Sequence, residues 1–109
     1  MSELTYARVE KALNYLAETD LRIASAKADV ERTKHKSKAV FAAIFSRNMG
    51  TVKERECEAE MHPQYQESLE ANFKAIEEYE FLRNKRKLEE LVIEVWRSVN
   101  SARNKGQIV

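Results

Sequence analysis

Apolar and small residues mark this chain at a helical period almost from end to end. Ile23, Ala26, Val30, Thr33, Ser37, Val40 and Ile44 alternate spacings of three and four without a slip. Such a heptad seam sets one side of an α-helix against a partner helix. The spacing predicts a helix over about 20–46, with a small and polar middle and its strongest apolar anchor at Phe41, Ile44 and Phe45. Ahead of it, Tyr6, Val9, Leu13 and Leu16 predict a shorter helix over about 5–17. Thr19-Asp20 offers an N-cap between the two, or no more than a kink.

Beyond Ser46 the punctuation is explicit. Asn48-Met49-Gly50 ends the helix, with Gly50 as the left-handed residue past its end. Thr51 followed three residues later by Glu54 reads as a capping box opening a short acidic helix over 52–61. Pro63 suits the first turn of the next helix, and no glycine follows it until Gly106. A helix over 63–105 would be roughly 64 Å long at about 1.5 Å per residue. It carries two stripes offset in phase: Tyr65, Leu69, Phe73 and Ile76, then Phe81, Asn84, Leu88, Leu91, Val95, Ser98 and Ala102.

The fold class that follows is all-α: an elongated helical hairpin or coiled coil with one long C-terminal helix, a single domain over 1–109. The simplest arrangement brings Phe41, Ile44 and Phe45 onto Tyr65, Leu69 and Phe73 near the turn. Further along, Leu88, Leu91, Val92, Val95, Trp96 and Val99 need cover, because each such side chain left in water forfeits roughly 1.5–3 kcal/mol of burial. The first helix covers part of that surface and a second subunit the rest, so a homo-oligomer is expected.

Composition agrees with long helices: 34% of the 109 residues are charged, and there are only two glycines and one proline. Cys57 is the only cysteine, which excludes an intramolecular disulfide and suits a cytoplasmic setting. It is expected as a small buried filler. No apolar run reaches membrane-spanning length and the first residues lack a signal-peptide pattern, so no membrane association is expected.

The net charge of +1 hides three blocks. Residues 20–47 balance at +4, residues 54–80 at −7 and residues 83–105 at +4. The candidate chemistry lies in the basic blocks. Lys34, Lys36 and Lys38 form one cluster, and Arg83, Lys85, Arg86 and Lys87 a second; Arg97 and Arg103 add a third contact region. Grouped cations neutralise phosphates and release counterions, and neighbouring aromatics such as Tyr79, Phe81 and Trp96 offer faces for base stacking. The competing role is pairing with Glu77, Glu78 and Glu80, which an antiparallel hairpin would bring toward Lys34–Lys38. No phosphate-binding glycine loop, metal-ligand spacing or nucleophile motif is present, and His35 and His62 lie on different segments. No enzyme activity, metal or cofactor is expected.

Several stretches resemble a family of small helical proteins of tailed phages and prophages. They are Gly50-Thr-Val-Lys-Glu-Arg-Glu56, His62-Pro-Gln-Tyr65, Tyr79-Glu-Phe-Leu-Arg-Asn-Lys-Arg86, Glu94-Val-Trp-Arg-Ser98 and, near the start, Tyr15-Leu-Ala-Glu-Thr-Asp20. In plan the chain is also similar to the T4-type recombination mediators, oligomeric helical proteins that load recombinase on single-stranded DNA. The resemblance implies a non-enzymatic DNA recombination or replication accessory in the cytoplasm of a bacterial host. It would bind single-stranded DNA through the basic clusters and meet a recombination or replication protein. The alternative is a helical protein–protein adaptor, anchored at Trp96, with no nucleic-acid binding.

Overall fold

The computed structural model describes residues 4–108, and the side chains of 4–104. Three helices follow one another: α1 Tyr6–Arg47, α2 Val52–Met61 and α3 Pro63–Ile108. The described residues are all-helical, with no strand. None of the helices is long and apolar enough to cross a membrane.

α1 is one helix of 42 residues where two were expected. Thr5 caps its start, its Oγ1 accepting from Arg8 N at 3.2 Å. At the expected break, Thr19 Oγ1 does not cap. It donates back to Tyr15 O at 2.7 Å, a bond that satisfies the hydroxyl inside a continuous helix. The seam also runs through the break. Val9, Ala12, Leu16, Thr19 and Ile23 lead into Ala26 and Val30 at alternating threes and fours, and all are buried or half-buried. Leu13, expected inside, is 51% exposed, because Ala12 occupies the inward position.

Gly50 holds φ at 123°, open to glycine and unfavourable for other L-residues. Thr51 caps α2 as expected, its Oγ1 accepting from Glu54 N at 3.2 Å. Arg55 fixes α2 to the end of α1: Nε donates to Phe45 O at 3.0 Å and the guanidinium lies 4.3 Å from the Phe45 ring centroid. Ala59 is fully buried, whereas Cys57 is exposed, which corrects its expected place as core filler. Pro63 opens α3, and His62 Nδ1 accepts from Gln64 N at 3.1 Å. α3 continues through Gly106, past its expected end.

The chain packs as two compact units. In the unit from Ala24 to Glu80, α1 and α3 run antiparallel, with Phe41 edge-on to Tyr65 at 5.2 Å between centroids. The most buried α3 positions here are Ser68 and Asn72; Leu69 is half-buried at the edge, as expected on this side, and Phe73 is 56% exposed. Small and polar side chains let the helices approach closely enough for hydrogen bonds. Asn72 Nδ2 donates to Val30 O at 3.0 Å and to Thr33 Oγ1 at 2.8 Å. In the other unit, the N-terminal part of α1 up to Ile23 packs on α3 from Phe81 onward, so the first helical segment packs in cis. Val9, Ala12 and Leu82 form its apolar centre.

A Cβ at residue 50 would sit 2.7 Å from Glu54 Oε2, the movable end of a side chain, so backbone strain is the main penalty. Gly50→Ala is expected to lower stability by about 1–3 kcal/mol, read from the urea unfolding midpoint with helicity unchanged.

Candidate interaction surfaces

α3 carries two interleaved seams. The inner one, Leu82, Arg86, Glu89, Ile93, Trp96 and Asn100, alternates fours and threes, and every member is buried or half-buried. Its polar members are satisfied across the unit. Arg86 Nη1 donates to Leu16 O at 2.8 Å and to Thr19 Oγ1 at 2.6 Å, while Nη2 lies 3.7 Å from Asp20 Oδ1. Glu89 accepts from both terminal nitrogens of Arg8, at 2.7 and 2.9 Å. Those hydrogen bonds hold the Arg8 guanidinium above its ordinary pKa, with partial desolvation opposing and the charge of Glu89 reinforcing the shift. A pKa raised on folding contributes stability below the ordinary value and loses it only above, so the contribution of the Arg8 guanidinium does not change with pH across the neutral range.

The outer seam is the one prominent in the sequence, and it faces water. Phe81, Leu88, Leu91, Val95 and Val99 are between 44% and 67% exposed, all on one side of the helix. Asn84 and Ser98 share that side and are exposed. Two residues expected at this surface sit elsewhere. Trp96 turns inward and is half-buried, its ring 6.0 Å from that of Tyr6, and Val92 is half-buried at the edge. Trp96 is therefore not among the exposed apolar side chains of this face, which include Leu88, Leu91 and Phe81.

The basic clusters divide in the same way. Arg86 is 14% exposed and committed to α1, so it leaves the set of candidate phosphate contacts. Lys85 Nζ lies 5.0 Å from the Tyr15 ring centroid, a cation–π contact. Arg83 is exposed and already engaged in a contact of its own. Lys87, Arg97 and Arg103 are exposed. In the other unit Lys34, Lys36 and Lys38 are all exposed, with no ion pair among the described residues. They do not form one patch, because a helix turns about 100° per residue. Lys34 and Lys38 share a side with Lys27, whereas Lys36 borders a groove with Thr33, Val40, Gln64 and Glu67. The carboxylate that shares this groove with Lys36 is Glu67; Glu77, Glu78 and Glu80 do not line it. Arg32 pairs with Asp29 on its own helix.

A shallow hollow at the α1–α2–α3 turns is lined by Met49, Cys57, Met61 and His62, among others. Among the described residues no group of three or more His, Cys, Asp and Glu side chains is placed to hold a metal ion. The seam spacing of Leu82, Arg86 and Glu89 was the signal that could have found the Arg86 clamp from sequence; the run of five consecutive polar residues, Arg83–Lys87, reads as a charge cluster instead.

No protein-family model, curated protein or solved structure matches the chain. Function is therefore read from these surfaces. Arg86→Met removes the donor to Leu16 O and Thr19 Oγ1 and is expected to cost about 1–3 kcal/mol of stability. Affinity for single-stranded DNA, measured in parallel at a temperature where the variant is folded, is expected to stay unchanged.

Proposed function

We propose that this chain is a non-enzymatic, self-assembling helical protein that associates through the outer seam of α3. The observation that carries the reading is the row Phe81, Leu88, Leu91, Val95 and Val99, apolar, regular and exposed on a helix whose inner seam is already occupied. A second apolar seam at heptad spacing fits another helix better than it fits water, and each side chain covered adds on the order of 1 kcal/mol. The opposing +4, −7 and +4 charge blocks give such an assembly internal ion pairs to draw on. Sedimentation of the wild-type chain across the micromolar range tests this. The mass is expected to rise above the 12.7 kDa of one chain with concentration, and Leu88→Asn with Leu91→Asn is expected to hold it there. A wild-type mass fixed at one chain would remove the reading.

A second reading, binding of single-stranded DNA as a recombination or replication accessory of phage type, is favoured by one feature. Lys27, Lys34 and Lys38 share a side of α1 at spacings of seven and four, exposed and without ion pairs among the described residues, with Glu31 between them. Titration of a labelled oligonucleotide at several salt concentrations tests it. If the row contacts phosphates, Lys34→Ala with Lys38→Ala should weaken binding and flatten the salt slope by roughly 0.7 per lysine lost. No saturable binding at low salt would leave the lysines as a solvated face.

A further inference from the structure

We propose that the occupant of the outer seam is a second copy of this chain, docked antiparallel about a twofold axis near Leu91. This deepens the self-assembly reading and rests on it. The seam itself selects the orientation. Phe81, Leu88 and Val95 share one heptad position, and Asn84, Leu91 and Ser98 the other. Antiparallel packing sets one position against the other. Leu88 then meets Leu91 of the second copy, Val95 meets Asn84, and the large Phe81 meets the small Ser98. The centre is four leucine side chains, and bulk is matched to space at each end. A parallel pair stacks each residue on its own counterpart instead, which crowds Phe81 on Phe81 and leaves Ser98 facing Ser98 across a gap that nothing fills.

Charge points the same way. Lys87 and Glu94 lie seven residues apart along the outer edge of the seam, so they share one side of the helix. Both are exposed, and neither has an ion pair among the described residues. In the antiparallel pair Lys87 of each copy comes alongside Glu94 of the other, which gives two equivalent ion pairs, as an isologous twofold interface requires. In a parallel pair the same two side chains would flank Val92 and Val99 of the second copy, with no charge to meet.

Charge reversal in the full chain, followed by sedimentation equilibrium and by circular dichroism for helicity, separates the outcomes. Lys87→Glu or Glu94→Lys alone brings like charges together at both ends of the interface, and each is expected to raise the dimer Kd roughly tenfold. Lys87→Glu combined with Glu94→Lys rebuilds both pairs with the signs exchanged and is expected to return the Kd to within about threefold of wild type. Both positions are exposed, so helicity should not change in any of the three variants. A wild-type dimer indifferent to the single reversals, or a double variant no better than the singles, overturns the antiparallel arrangement and leaves self-assembly standing. A mass beyond two chains overturns the twofold dimer. A wild-type monomer throughout overturns both.

Discussion

A helix packed on a single neighbour can bury one seam and no more, and α3 carries two. Much of this protein's architecture turns on which seam goes inside. The inner one is the less apolar: Leu82, Arg86, Glu89, Ile93, Trp96 and Asn100 include three polar side chains, yet they face α1. The outer one holds Phe81, Leu88, Leu91, Val95 and Val99 and faces water. A fold driven by burial alone would reverse that choice. The inner seam prevails because α1 offers it specific partners, and because every buried side-chain nitrogen and oxygen among the described residues is hydrogen-bonded.

Those polar contacts set register. Arg86 reaches a backbone carbonyl and a threonine hydroxyl that are three residues apart on α1, and Asn72 reaches Val30 O and Thr33 Oγ1 in the same pattern. A shift of one turn would break either contact and strand a buried amide or guanidinium, a far larger penalty than the net gain from making the bond. Leucine pairs tolerate such shifts better, since their contacts have no direction. Thr19 and Thr33 serve twice, each donating to its own helix backbone at a distance of 2.7 Å while accepting from α3. The thin apolar core, with Ile44 as its largest fully buried side chain, is thereby supplemented by directional bonds.

The same economy decides what remains for a partner. Arginine at residue 86 is absorbed by the fold, and lysine at 85 lies over Tyr15, so the second basic cluster is only partly a surface feature. The first cluster is fully exposed but wound around the helix, with Lys34 and Lys38 on one side and Lys36 bordering a groove beside Glu67. What the unit containing Phe81 onward presents continuously is an apolar row on α3, and that is why association through a helix face stands ahead of phosphate binding.

The sequence by itself determined the helical class, the turn at Gly50, the caps at Thr51 and Pro63, and the seam from Ile23 to Ile44. Each of these is local: a φ only glycine adopts freely, a hydroxyl within reach of a nearby amide, a ring with no N–H, a repeat that matches the helix turn. Tertiary structure decided the rest. It joined the expected first two helices, because Thr19 became an internal donor instead of a cap once Arg86 stood opposite. It centred the inward side of α3 on Ser68 and Asn72 and left Phe73 outside, because close helix approach rewards small and hydrogen-bonding side chains. It turned Trp96 onto Tyr6, sent Cys57 to the surface and took Arg86 inside. None of these depends on a residue's own preference; each depends on what lies across from it, and a linear pattern with two equally regular seams does not say which one another helix will meet.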